Sequence, residues 1–145
     1  MAAKVLLVED DVNLRDIYFA RFQLEGYDLS VAANGEEALA MTVKVKPDLM
    51  ILDVMMPRIS GFDVLDIVRS TPDTAHTKVI MMTALSEESD RKRGKDLGVD
   101  EYLVKSQVSL EDVVATAKRV LGTAAAAAPT TNPTPDTTPP APAAA

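Results

Sequence analysis

The chain has 145 residues, no cysteine and a formal net charge of −7. The lack of cysteine excludes disulfides, thiolate metal sites and a cysteine nucleophile, and the acidic balance disfavours direct binding to nucleic acid. The composition, 47% hydrophobic, supports one packed core, and no apolar stretch approaches the roughly 20 residues that span a bilayer, so we expect a soluble cytoplasmic protein without membrane insertion.

Short apolar runs alternate with amphipathic segments along residues 1–122, which is the pattern of βα units that build a parallel sheet. The predicted strands are residues 5–8, 28–32, 49–52, 79–82 and 102–104. The first, third and fourth are continuously apolar, as in central strands that are covered on both faces. The sequence therefore predicts an α/β domain with these three strands in the middle of the sheet.

Five helices are predicted between and after the strands. Apolar residues recur at helical spacing, as in Leu14, Ile17, Tyr18 and Phe22 of the first helix. The predicted starts of the later helices are Asn34 with Glu37, Gly61, Ser86 with Glu87 and Glu88, and Ser109 with Asp112. The predicted stops are Gly26, Pro47, Gly98 and Gly122.

The composition changes abruptly after Thr123. Residues 124–145 contain only Ala, Pro, Thr, one Asn and Asp136, and six of the nine prolines fall there. Such a segment has almost nothing large and apolar to bury. We therefore predict a folded domain over residues 1–122 and a disordered tail over residues 123–145.

Chemically active side chains fall at the ends of four predicted strands. They are Glu9, Asp10 and Asp11 after the first strand, Asp53 after the third, Thr83 with Ala84 after the fourth, and Lys105 after the fifth. Because the loops at the carboxyl ends of parallel strands build the site in such folds, we expect these groups to lie together. Clustered carboxylates repel each other unless a cation is present, and oxygen ligands without sulfur or histidine favour Mg²⁺.

This set of residues is suited to phosphoryl transfer, which depends mainly on positioning and charge neutralisation. Asp53 is the predicted nucleophile, and Asp10 is the predicted holder of Mg²⁺, with Glu9 or Asp11 acting through water. Lys105 and the Thr83 hydroxyl are expected to contact two further phosphoryl oxygens. Taken singly each feature is ambiguous, since acidic residues at strand ends often cap helices.

Residues 3–122 resemble the receiver domains of two-component response regulators, including the single-domain chemotaxis type. The motifs that carry the resemblance are the run from Val5 to Asp11, the segment Asp53-Val54-Met55-Met56-Pro57 with Gly61, the pair Thr83-Ala84, and Tyr102 three residues before Lys105. The resemblance implies a flavodoxin-like, doubly wound five-stranded sheet of order 2-1-3-4-5 with five flanking helices.

The resemblance also implies a mechanism. Asp53 accepts a phosphoryl group from a sensor histidine kinase or phosphotransfer protein and slowly loses it again. The metal ligands are then Glu9, Asp10, Asp53 and the backbone carbonyl of Met55. Thr83 and Tyr102 move together and reshape the surface of the fourth helix, fifth strand and fifth helix, which regulates a partner protein that the sequence does not identify.

Ser106 departs from the family pattern, because most members carry proline after the strand-five lysine, usually in a cis peptide. A cis bond before serine would cost about 3 kcal/mol. We therefore expect a trans or locally strained loop at Ser106-Gln107. Our hypothesis is that the altered loop tunes partner choice or switching range.

Two other features are predicted to lie outside the site. His76 is the only histidine and falls in a polar connection, so we expect an exposed loop residue. The basic run Arg91-Lys92-Arg93 is expected on a solvated helix face.

Three other functions remain open from the sequence. A Mg²⁺-dependent phosphatase or phosphotransferase would need a second acid/base residue and usually a cap over the sheet, and no insertion large enough for a cap is visible. A flavodoxin-like cofactor carrier would need a phosphate-binding loop after the first strand. A degenerate receiver would act only by docking, which the complete acidic set disfavours. With no DNA-binding or catalytic output module in the sequence, we expect the signal to leave through protein contacts or a phosphoryl relay.

Overall fold

The computed structural model describes residues 3–84 and 88–127, with side chains described up to residue 122. Within these residues the chain forms five strands, five α-helices and one 3₁₀ turn. The strands are β1 (Lys4–Val8), β2 (Asp28–Ala32), β3 (Leu49–Asp53), β4 (Lys78–Thr83) and β5 (Glu101–Val104). The helices are α1 (Val12–Leu24), α2 (Gly35–Val45), α3 (Gly61–Ser70), α4 (Glu88–Asp96) and α5 (Leu110–Ala127), and the 3₁₀ turn is Lys105–Gln107.

The five strands form one parallel sheet in the order β2-β1-β3-β4-β5. The predicted order and the predicted central strands are confirmed. In the register of the sheet, Asp53 at the end of β3 lies opposite Met82, and Thr83 at the end of β4 lies opposite Val104. The residues that follow β1, β3, β4 and β5 therefore meet at one edge of the sheet.

Alternate side chains of the central strands pack into two apolar layers, one on each face of the sheet. Leu6, Met50 and Met81 face the layer that includes Phe62 and Leu65 of α3. The other layer joins the opposite face of the same strands to α1 and α5, through Val5, Ile51, Ile80, Phe22, Val113 and Ala117. Burial on both faces explains why these strands are continuously apolar rather than alternating.

Most predicted helix boundaries agree with the structure. The Asn34 side chain accepts a hydrogen bond from the Glu37 amide at 2.9 Å, as expected for a helix cap. Gly26 and Gly98 both adopt a φ of 93°, the left-handed region that glycine tolerates best. The described part of the fourth helix is Glu88–Asp96. Its predicted start at Ser86 and Glu87 lies outside the described residues.

The fifth helix is longer than predicted. It continues through Gly122 and ends at Ala127, whereas the sequence pattern placed its end at Gly122. The reason is local, because alanine has the highest helix propensity and a run of alanines follows, which offsets the cost of about 1 kcal/mol for one glycine. The remainder of the predicted tail, residues 128–145, lies outside the described residues. Among the residues that the structure describes, no helix is long and apolar enough to cross a membrane.

Candidate functional site

Asp53 ends the central strand β3 and is only 3% exposed. One of its carboxylate oxygens, Oδ1, accepts a hydrogen bond from the Met55 amide at 3.2 Å. The other, Oδ2, lies 3.4 Å from the Nζ atom of Lys105. The carboxylate is thus held from two sides, by the backbone of the loop after β3 and by the lysine that follows β5.

Lys105 joins Asp53 to a second buried carboxylate, that of Glu9. The lysine Nζ lies 2.9 Å from Glu9 Oε1. Glu9, which is 2% exposed, also accepts a hydrogen bond from the Asp11 amide at 3.3 Å through Oε2. One ammonium group therefore serves two carboxylates, and the buried cluster carries an excess of negative charge when both are ionised.

The electrostatics of this cluster raise the pKa of Asp53 from 3.8 to about 7. Burial is the largest cause, and the hydrogen bond and charge of Glu9 add to it. The charge of Lys105 and the Met55 amide act in the opposite direction without overcoming these effects. For Lys105, burial lowers the pKa, but the hydrogen bond to Glu9 and the charges of Asp53 and Glu9 raise it above its ordinary value.

Three carboxylates at this edge of the sheet could hold a cation together. Glu9, Asp10 and Asp53 each offer one oxygen, and these oxygens lie within 4.8 Å of one another. Asp10 is exposed and the other two are buried, so the group is open to solvent on one side. A hard divalent cation such as Mg²⁺ fits this all-oxygen donor set.

Two further groups were predicted to contact the metal, the Asp11 carboxylate and the Met55 carbonyl. The Asp11 carboxylate accepts hydrogen bonds from the Asn13 and Leu14 amides at 3.0 and 3.2 Å, so it caps α1 and is occupied there. This favours Glu9 over Asp11 as the second acidic group of the site. The proposed role of the Met55 carbonyl stays a prediction.

The structure places the two predicted switch residues in contact. Thr83 is fully buried at the end of β4, and Tyr102 on β5 is 7% exposed. The hydroxyl of Tyr102 is hydrogen-bonded to Thr83. Burial and the nearby charge of Asp90 raise the pKa of Tyr102, while the Thr83 hydrogen bond and the charge of Arg91 lower it. The Tyr102 ring is thus in an inward position.

The loop after β5 contains Ser106, the residue that departs from the family pattern. Among the described residues there is no cis peptide bond, and residues Lys105–Gln107 form the 3₁₀ turn. The trans alternative is confirmed. The effect of this loop on partner choice stays a hypothesis.

The residues predicted to lie outside the site do so, with one addition. His76 is exposed in the connection before β4. The basic run on α4 is exposed as predicted, yet both of its guanidinium groups also lie over aromatic rings. The Arg91 group is 5.2 Å from the centre of the Tyr102 ring, and the Arg93 group is 4.4 Å from that of Phe62. The sequence did not indicate these contacts, because they join residues far apart in the chain.

Gly61 allows the loop after Asp53 to close over the end of β3. A Cβ atom at this position would lie 2.4 Å from the Asp53 carbonyl oxygen and 2.8 Å from the Val54 Cα. Both are backbone atoms, so the loop itself would have to shift. We expect Gly61→Ala to lower the free energy of unfolding by about 1–2 kcal/mol, after the gain in helix propensity is subtracted, as measured by urea unfolding.

Gly122→Ala is the matched control for this prediction. It is also a helical glycine, and a Cβ there meets no atom within 4 Å. We expect it to stabilise the protein by about 0.5–1 kcal/mol. Equal effects of the two substitutions would contradict the close approach at Gly61.

The fold and the site together define a flavodoxin-like α/β protein with a buried carboxylate, a lysine and a candidate cation site at the carboxyl ends of its strands. The sequence matches the family described as the response regulator receiver domain over residues 5–118. The chain belongs to this family, the receiver domains of two-component response regulators.

Solved structures and curated relatives agree with this assignment. The chemotaxis response regulator CheY4 of Vibrio cholerae is 34% identical, with a TM-score of 0.77 over 83% of this chain and 99% of that one. The "Probable transcriptional regulator ycf27" of Porphyridium aerugineum is 42% identical over 102 residues, which are 70% of this chain and 41% of the relative. The DNA-binding dual master transcriptional regulator RpaA of a Synechocystis species is 34% identical over 118 residues, 81% of this chain and 48% of the relative. The chain thus spans less than half of these curated relatives.

Proposed function

We propose that this chain is a phosphorylation-activated switch in which Asp53 accepts the phosphoryl group. The observation that carries the proposal is the placement of Asp53, which lies buried between Glu9 and Lys105 and within the group of three carboxylates that could hold a cation. The donor is a phosphohistidine of a sensor histidine kinase or of a phosphotransfer protein, as in the family.

The transfer step uses groups that this site provides. An Asp53 oxygen forms a bond to phosphorus while the bond between phosphorus and the donor nitrogen breaks, which leaves an acyl phosphate on Asp53 and returns the electron pair to the donor. Mg²⁺ held by Glu9, Asp10, Asp53 and the Met55 carbonyl would neutralise charge on the phosphoryl oxygens. Lys105 supplies a second positive charge, and the Thr83 hydroxyl supplies a hydrogen bond.

Slow self-dephosphorylation completes the cycle. Water attacks the phosphorus atom, the bond between phosphorus and the Asp53 oxygen breaks, and inorganic phosphate leaves. The chain turns over no external substrate under this proposal, which distinguishes it from a phosphatase or phosphotransferase enzyme. A phosphorylated metabolite hydrolysed in the presence of the protein, with Asp53 required, would favour the enzyme instead.

The output leaves through the surface formed by α4, β5 and α5, whose shape depends on the positions of Thr83 and Tyr102. The recipient is a partner protein, in the cytoplasm, rather than nucleic acid or a membrane. The net charge of −7 supports this choice, because it disfavours contact with polyanions. The folded unit that the structure describes extends to Ala127, the end of α5.

Intact mass spectrometry tests the proposal directly. Incubation with acetyl phosphate and Mg²⁺ is expected to add about 80 Da, the mass of one phosphoryl group, to the wild type. Asp53→Asn is expected to gain nothing, and EDTA is expected to prevent the gain in the wild type. Asp48→Asn is the matched control, since Asp48 lies at the opposite end of β3 and accepts a hydrogen bond from the Lys4 amide. A wild type that gains no mass would overturn the proposal.

A further inference from the structure

Helix α4 has almost no apolar residue with which to hold its place. Its sequence, ESDRKRGKD, contains no large apolar side chain, and Gly94 is its one buried residue among those that the structure describes. Most helices in proteins are stabilised by packing of an apolar face rather than by intrinsic propensity. Other contacts must therefore set the position of α4 on the domain.

Two residues of α4, Arg91 and Gly94, contact Tyr102, while Arg93 lies over Phe62. The Arg91 guanidinium lies 5.2 Å from the ring centre, and its Nη1 atom donates to the Tyr102 carbonyl oxygen at 3.4 Å. Gly94, one turn later, approaches the same ring so closely that a Cβ atom would lie 3.0 Å from Tyr102 Cδ2. Residues three apart share one helix face, so this face of α4 rests on the tyrosine.

We propose that Arg91 is a positioning residue of the switch, which holds the Tyr102 ring in its inward position against Thr83 and ties the position of α4 to that of the ring. This inference rests on the proposed function, because it assigns a residue to the movement by which phosphorylation is read out. A guanidinium over an aromatic face is attracted to it by the electrostatics of the ring. When the ring moves outward, this attraction and the bond to the carbonyl are disturbed together.

The two basic residues beside Arg91 do not contact Tyr102, so they can be used to distinguish the role of Arg91 from a general effect of charge on α4. Lys92 is 73% exposed and pairs with Asp96 at 3.1 Å, within α4 itself. Arg93 lies over Phe62 of α3, on another part of the domain. Lys92→Met therefore removes the same charge from the same helix without touching the tyrosine, and is the matched control for Arg91→Met.

The first test measures the Tyr102 ring in the protein without phosphoryl donor or metal. The chain has three tyrosines, so incorporation of 3-fluorotyrosine gives three fluorine NMR signals, and Tyr102→Phe identifies one of them. The shift of this signal between H₂O and D₂O reports its solvent exposure. We expect Arg91→Met to increase the exposed population of Tyr102 by about three- to tenfold, Arg91→Lys to increase it less, and Lys92→Met to leave it unchanged.

The second test measures the coupling to the acceptor site. Beryllium fluoride with Mg²⁺ imitates a phosphoryl group on a carboxylate, and the Tyr102 signal reports its binding. Under this proposal the occupied acceptor site favours the inward ring, so losing the contact that holds the ring inward weakens binding. We expect the midpoint concentration to rise about three- to tenfold in Arg91→Met and to stay at the wild-type value in Lys92→Met. A contact that only adds stability would shift the urea midpoint without changing Tyr102 exposure or the beryllium fluoride midpoint.

The outcomes are distinguishable. Unchanged Tyr102 exposure in a folded Arg91→Met protein overturns the inference, whatever the phosphoryl chemistry. If Arg91→Met does not fold, Arg91→Gln decides, and wild-type exposure in that variant together with a wild-type midpoint counts against the role of Arg91. A wild type that does not respond to beryllium fluoride overturns the proposed function, while the exposure measured in the first test still decides the role of Arg91.

Discussion

Replacing Asp53 with asparagine is expected to raise the free energy of unfolding of the metal-free protein by about 2–4 kcal/mol at pH 8. The cause is the environment described above, in which burial and Glu9 raise the pKa of Asp53 from 3.8 to about 7. An ionised Asp53 is therefore costly in the folded protein. Asparagine keeps the shape of the side chain and removes the charge.

The sign of this effect depends on pH. Below the unfolded value of 3.8 Asp53 is protonated in both states and carries no penalty. As the pH rises from there through about 7, the unfolded chain has already lost the proton that the folded chain retains, so stability falls. The advantage of the asparagine variant is then full above pH 7 and shrinks towards pH 4.

Urea unfolding in EDTA at pH 8, 6 and 5 measures this difference. Asp48→Asn, at an exposed residue just before β3, is the control and is expected to show no such gain. Addition of Mg²⁺ at pH 8 is expected to narrow the gap, because a cation bound among the carboxylates stabilises the wild type more. An asparagine variant that is less stable than the wild type at pH 8 would contradict the electrostatic account.

Arg69→Met is expected to lower the free energy of unfolding by about 1–3 kcal/mol, because one guanidinium joins the loops that precede β4 and β5. Arg69, in the last turn of α3, donates to the carbonyl oxygen of Gly98 at 3.1 and 2.9 Å and to that of Ala75 at 3.0 Å. It also donates to the Thr77 carbonyl and pairs with Asp100 at 3.2 Å. Its loss removes this donor from three carbonyl oxygens, those of Ala75, Thr77 and Gly98.

Urea unfolding of two further variants tests this explanation. Arg69→Lys is expected to recover only part of the loss, since one ammonium group cannot reach three separated carbonyls. Arg58→Met removes an arginine whose pair with Glu36 is mostly exposed, at 69% and 56%, and is expected to change stability by about 0.5 kcal/mol or less. Equal losses for Arg58 and Arg69 would contradict the special role of Arg69.

The strands and helices could be predicted because their signals are local, whereas the strand order came from the family resemblance. The strands were predicted to within one residue of their ends, and the caps at Asn34 and Ser109 are formed as expected. The end of α5 was missed because a stop signal, Gly122, competes with the alanines that follow it. Such competition is decided by small differences in propensity, which a pattern of residue types does not resolve.

The site could be predicted in part. The carboxyl ends of parallel neighbouring strands lie at the same end of the sheet. This brings together Glu9, Asp10, Asp53 and Lys105. The division of roles between Glu9 and Asp11 could not be predicted, because both are acidic and adjacent, and only backbone direction decides which one caps α1. The contact of Arg91 with Tyr102 depends on the position and rotation of α4 relative to the sheet. The spacing of apolar residues in the sequence does not predict that position.

The strand order has a consequence for a nascent chain. The first half of the sequence contains β1, β2 and β3, which pair as one continuous group, so this half-sheet can assemble on the ribosome before β4 and β5 are made. Glu9 and Asp53 would then already be neighbours, whereas Lys105 is 52 residues further on than Asp53. Neutralisation of the acidic pair thus comes late in synthesis, and a C-terminally truncated product retains the repulsion without its lysine.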